Sequence, residues 1–131
     1  MTFWMAFLGY LIPTFPLGYF WHLKTFSEDY QSLGLYRDDV IIPMGLASMV
    51  IQALFFAWVF PKVFDVTGGN WVSNALAFTA IFGTLAWSFL VLPVAAKYKM
   101  ASVSKFMMLE TAFTAIQFAV TGTLISYVYS R

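Results

Sequence analysis

The chain has 131 residues, of which 61% are hydrophobic, 21% aromatic and only 10% charged. A soluble domain carries about 25% charged residues and needs them to coat a surface that is large for its volume, so seven Lys/Arg and six Asp/Glu are too few to dissolve this chain in water. A net charge of +1 leaves no electrostatic footprint for nucleic acid, the absence of cysteine excludes disulfide, iron–sulfur and thiol chemistry, and a lone histidine argues against a metal site built from protein ligands.

With a mean hydropathy of +0.78, the lipid bilayer is the expected solvent and first partner. The length permits one domain, so residues 1–131 are read as a single transmembrane unit, all-α, a four-helix bundle. A spanning helix needs roughly 20 mostly apolar residues. Residues 3–23 form the first such stretch, free of Asp, Glu, Lys and Arg. No basic residue precedes it and no small-residue cleavage site follows, so it reads as a span and not as a cleavable signal. Pro13 and Pro16 lie inside it, each removing a backbone donor and bending the helix, which membrane helices tolerate when neighbours re-satisfy the freed carbonyls.

The first connection contains Thr25-Phe26-Ser27-Glu28, which fits a capping box, and Gly34, which suits a helix C-cap. A short interfacial helix over residues 26–33 is therefore predicted, with Phe26, Tyr30 and Leu33 on its apolar side. Residues 40–60 form the second span, opened by Asp38 and Asp39 as N-cap and first-turn acids. Pro61 and Gly68-Gly69-Asn70 break the chain before the third span, residues 71–96. The fourth span covers residues 106–129 and holds one acid, Glu110.

Orientation follows the count of Lys and Arg in short loops. The first and third loops hold five (Lys24, Arg37, Lys97, Lys99 and Lys105), whereas the other side holds two (Lys62 and Arg131). This bias places both loops in the cytoplasm and both termini outside, with a bacterial inner membrane as the expected location.

The fourth span carries two stripes. Glu110, Thr114, Gln117 and Thr121 recur at helical spacing, and Ala112, Ala115, Ala119, Gly122 and Ser126 recur on nearly the opposite side. Small residues let a neighbouring backbone approach and polar ones must avoid lipid, so this helix is expected to pack on both faces, leaving Phe113, Ile116, Val120 and Tyr127 for lipid. The small residues Ala75, Thr79 and Gly83 predict a close antiparallel pairing of the third span with the fourth. Gln52 of the second span is expected inside, within reach of Gln117.

Glu110 lies at the depth where the first span ends and the second begins. An embedded acid must be paired or protonated. His22, Lys24, Arg37, Asp38, Asp39 and Lys97 are the ionisable groups placed to converge on it, either as an interfacial lock or as an ion-handling site with His22 as proton partner. Catalytic parts are missing: no serine lies in a Gly-x-Ser-x-Gly setting, no phosphate-binding glycine loop or metalloprotease histidine pair is present, and no cofactor is implied. Two readings follow. One is a non-enzymatic scaffold or accessory subunit, as a homo-oligomer or within a larger membrane complex. The alternative is a small ion- or solute-transporting oligomer that uses the polar stripe of the fourth span.

The run Gly18-Tyr19-Phe20-Trp21-His22, followed by Tyr30, Leu33-Gly34 and a second apolar helix, resembles small four-span bacterial membrane-protein families that have no assigned activity. The resemblance covers about half of the chain and implies the fold alone.

Overall fold

Long apolar runs become helices in this chain because a backbone in lipid must satisfy its own hydrogen bonds. The computed structural model describes residues Met1–Arg131. It contains α1 (Thr2–Phe20), a π-helical turn (Trp21–Thr25), α2 (Ser27–Leu33), α3 (Ile42–Val63), α4 (Trp71–Leu90), α5 (Leu92–Lys97) and α6 (Val103–Tyr129). Four helical segments are long and apolar enough to cross a membrane: Thr2–Thr25, Ile42–Val63, Trp71–Lys97 and Val103–Tyr129. The protein is thus an all-α integral membrane bundle.

Several local expectations are corrected. The capping box does not form: Thr25 belongs to the π turn, and Phe26 precedes α2 with no side-chain cap. Asp38 and Asp39 do not cap the second span, because α3 begins at Ile42 with Pro43 in its first turn and Ile41 in the cap position. The third span has the expected extent, Trp71–Lys97, with a local interruption at Val91 that divides it into α4 and α5, just ahead of Pro93, which lacks the donor a helix interior needs. Gly34 does end α2, with φ +78°, a left-handed cap that a residue with a Cβ adopts only under strain.

α6 is the central helix, flanked by α1 and α4, with α3 packed mainly on α1. The contact of α6 with α4 is the close one. A Cβ on Gly122 would lie 2.8 Å from the Phe78 ring and 3.2 Å from the Ala75 carbonyl oxygen. Thr79 Oγ1 donates within this seam, 2.8 Å from Ala75 O and 3.1 Å from Phe118 O. Farther along, Ser126 Oγ donates to Trp71 O at 2.6 Å. The small stripe of α6 is used only at this end, since Ala115 and Ala119 remain exposed. Ile116, Val120 and Tyr127 are exposed as expected. Phe113 is not, because its ring packs on Trp21 and His22.

The four spans share one aromatic core in their half remote from His22, where Phe56, Phe60 and Phe64 of α3 and the residue after it meet Phe78 of α4 and Phe118 of α6. A second cluster at the opposite end joins Tyr30 and Leu33 of α2 to Val91, Phe106 and Leu109. The backbone N–H of Ala101 donates to Leu33 O at 3.1 Å, so α2 is tied over the end of α6.

In α1 the buried positions are Ala6, Tyr10, Thr14 and Gly18, one face at four-residue spacing. Thr14 is fully buried and its hydroxyl has no partner. A buried donor left unpaired costs free energy, so Thr14→Val is expected to leave the thermal unfolding midpoint unchanged or to raise stability by up to about 1 kcal/mol. A clear fall in the midpoint would show that the hydroxyl does have a partner.

Candidate functional site

The polar chemistry lies at two levels of the bundle, linked by a cavity. The upper level is built on the π turn. Its widened register, with Phe26 N–H donating to Trp21 O at 3.1 Å, ends α1 so that Trp21 and His22 both reach the space beneath α2. π turns of this kind recur at functional sites. Glu110 Oε1 accepts from the Tyr30 hydroxyl at 2.5 Å and lies 3.0 Å from His22 Nε2. His22 Nδ1 is 2.9 Å from Gly18 O, and Trp21 Nε1 donates to the Tyr30 hydroxyl at 3.0 Å.

A carbonyl oxygen only accepts, so the proton on Nδ1 is fixed by Gly18. The contact between Nε2 and Oε1 then needs one proton more. Either an imidazolium faces a carboxylate, or a neutral imidazole accepts from a carboxylic acid. The pair holds one shared proton in both forms, and without it two acceptors would face each other.

The wider convergence of charges does not form. Arg37 pairs with Asp39 at 3.2 Å inside the first loop, both side chains well exposed. Asp38 makes no ion pair, and Lys24 and Lys97 lie over Tyr19 and Tyr98 in solvent-facing positions. Lys105 pairs instead with Asp29 of α2 at 3.1 Å, a second tie between α2 and the start of α6. The polar stripe of α6 divides as well. Thr121 is buried and donates back to Gln117 O at 2.8 Å, as helical threonines do, and Thr114 makes no hydrogen bond.

Burial pushes the Tyr30 and Tyr36 phenols well above their ordinary range, with the negative charge at Glu110 acting in the same direction. Their rings stack 5.0 Å apart. A phenol whose folded value is raised keeps its proton after the unfolded chain has lost it, so stability is intact below about pH 10 and falls as the pH climbs beyond it. Alkaline unfolding curves should therefore steepen above that point, and Tyr36→Phe should remove part of the slope. An unchanged slope would contradict the burial of that ring.

The lower level lies on α6 roughly 10 Å deeper, seven residues beyond Glu110 at ~1.5 Å per residue. Gln52 and Gln117 do meet there, but through Tyr10. The Tyr10 hydroxyl donates to Gln52 Oε1 at 2.6 Å and accepts from Gln117 Nε2 at 3.0 Å. Tyr30 and Tyr10 are the two site residues that the sequence reading did not assign. The four-residue recurrence of Ala6, Tyr10, Thr14 and Gly18 marks Tyr10 as inward-facing; Tyr30 carries no comparable polar signal.

Between the two levels lies a cavity of about 930 Å³, bounded by α1, α3, the preceding loop and α6. It reaches from Tyr36, Arg37 and His22 at its mouth to Gln52, Gln117 and Phe118 at its floor. It exists because α3 packs through its second half, where Ala53, Phe56, Ala57 and Phe60 are buried, whereas residues 42–48 are all exposed. Ile42, Met44 and Leu46 line the cavity and are exposed, so it is an open groove with an apolar edge on the surface of a membrane-spanning helix. Its volume falls within the usual range of small-molecule sites, roughly 300–1,000 Å³.

Fold and site together define an integral membrane four-helix bundle with a lateral groove. Searches among protein-family models, curated proteins and solved structures give no match for the chain.

Proposed function

We propose that this chain is a non-enzymatic membrane protein that works by holding a lipid-like molecule in the groove between α1, α3 and α6, as a scaffold or accessory subunit. The groove itself carries the reading: it is largely apolar, has a polar mouth and a polar floor, and opens where lipid lies. The bonds around Glu110 support a structural role for that end, since each of its polar neighbours already has a partner within the chain. The exposed first half of α3 is the surface on which a second copy or a larger complex would assemble. α6 has its main packing partners, α1 and α4, within the chain.

The transport reading rests on one observation: the groove runs from the membrane surface to the depth of Gln52 and Gln117. Beyond that depth the path is closed by Tyr10, Phe56, Phe60 and Phe78, so a transport cycle would have to part the aromatic core.

Extraction in mild detergent followed by mass spectrometry of bound small molecules tests the binding reading. Gly45 lines the groove and a Cβ there meets nothing within 4 Å, so Gly45→Trp should fill the space without disturbing the core. A lipid retained by the parent chain and lost from Gly45→Trp supports the proposal. Equal retention by both defeats it. For orientation, the five-to-two Lys/Arg bias puts the groove's mouth on the cytoplasmic side. The chain has no cysteine, so Ser27→Cys and Thr67→Cys each supply a unique label site for an impermeant maleimide. In intact cells Thr67→Cys should react and Ser27→Cys should not; the reverse pattern would invert the topology.

A further inference from the structure

The floor of the groove has a hydrogen-bonding pattern of its own. Tyr10 uses its single proton on Gln52 and accepts one proton from Gln117, which leaves the other amide atom of each glutamine without a partner in the chain. The pattern does not depend on how the two amides are oriented. If both are flipped, the Tyr10 hydroxyl accepts from Gln52 and donates to Gln117, and again one amide oxygen and one amide nitrogen are left. Both glutamines line the groove, and neither free group is sealed off inside the chain, so both are open to the groove. At this depth the bilayer supplies no water to satisfy them, and an unpaired amide there is costly.

The charge at the mouth limits what can enter. Arg37 is already held by both oxygens of Asp39, and Asp38 lies beside it, so the loop at the mouth carries a net negative charge. No cationic side chain lines the floor. An anionic headgroup therefore has no partner at either end, and a charge brought to the floor would be expensive. A hydroxyl fits both free groups, since it donates to the amide oxygen and accepts from the amide nitrogen; an ether or ester oxygen, which only accepts, satisfies one.

We propose that the groove binds an uncharged lipid alcohol with its hydroxyl inward, between the side-chain amides of Gln52 and Gln117, and its hydrocarbon part against the apolar walls. This rests on the groove being a binding site, as proposed above, and adds the chemistry that it selects.

The test is competition against tritiated 1-hexadecanol on the whole protein in nanodiscs, with unlabelled 1-hexadecanol, its methyl ether and phosphatidylglycerol as competitors. The alcohol should compete about tenfold better than the ether, the difference one neutral hydrogen bond makes at such a site. Phosphatidylglycerol should compete least. Gly45→Trp, which leaves the amides intact, should abolish saturable binding of the alcohol and the ether alike. Gln52→Leu with Gln117→Leu should erase the preference for the alcohol while binding persists; if that variant does not fold, the comparison on the parent chain decides alone.

Equal competition by alcohol and ether, both lost in Gly45→Trp, would overturn the inference and leave the groove as a binding site whose floor is satisfied by water. Stronger competition by phosphatidylglycerol would also overturn it. Binding that Gly45→Trp does not change would remove the groove reading itself.

Discussion

Glu110→Ala is expected to lower stability by about 2–3 kcal/mol, and Glu110→Gln by a smaller amount, about 1 kcal/mol. The alanine variant leaves the Tyr30 hydroxyl without its acceptor in a position that is only 1% exposed, and strips His22 Nε2 of its only partner. Glutamine can replace only one of the two contacts, because Tyr30 and His22 both reach the same oxygen, Oε1. An amide oxygen there accepts from Tyr30 but leaves Nε2 unpaired while Nδ1–H stays on Gly18 O, and an amide nitrogen there serves Nε2 but leaves the Tyr30 hydroxyl without an acceptor. Denaturant titrations in detergent measure both variants against the parent chain. An alanine variant with the parent midpoint would show that the lock contributes nothing, and a glutamine variant as stable as the parent would show that the two contacts do not meet on one oxygen.

The sequence made the spans legible because hydropathy over twenty residues is a strong signal, and it made the stripe of α6 legible because a polar residue in lipid must face something. Its blind points have physical causes. The π turn at Trp21–Thr25 follows from how α1 meets α2 and has no motif of its own. Tyr30 reaches Glu110 across 80 residues of chain, from a short helix whose polar positions look like ordinary surface. Asp38 and Asp39 had a sound local reading as capping acids, but Pro43 starts α3 later and leaves them in the loop, where Asp39 takes Arg37 away from Glu110. The groove was the least visible feature. It arises because α3 packs only through its second half, and the only sequence trace of that is the contrast between the unpacked Gly45 and Ser48 of its first half and the buried Ala53 and Ala57 of its second.

Gly122→Leu is expected to be the most damaging single substitution in the bundle. α4 and α6 approach here closely enough that even a methyl group has no room. Its nearest neighbours would be the Phe78 ring at 2.8 Å, Thr79 Oγ1 at 3.0 Å and the Ala75 carbonyl oxygen at 3.2 Å. Phe78 is fully buried among other rings and the carbonyl belongs to the backbone of α4, so relief requires the helices to separate. Separation would also lengthen the Thr79 bond to Phe118 O, which crosses the same seam. Overpacking of a core costs about 1–3 kcal/mol for small additions, so Gly122→Ala should fall in that range and leucine beyond it. Alanine is intrinsically the better helix former by about 1 kcal/mol in water, so steric cost and propensity oppose each other. Two other glycines separate them. At Gly83 the nearest contact would be the Phe118 Cβ at 3.4 Å, and at Gly45 there is none within 4 Å. The expected order of stability loss is therefore Gly122→Ala above Gly83→Ala above Gly45→Ala, the last showing no loss. Unfolding midpoints of the three alanine variants in one detergent give that order directly. If Gly122→Ala matches Gly45→Ala, α4 and α6 are not in backbone contact and the central place of α6 is wrong.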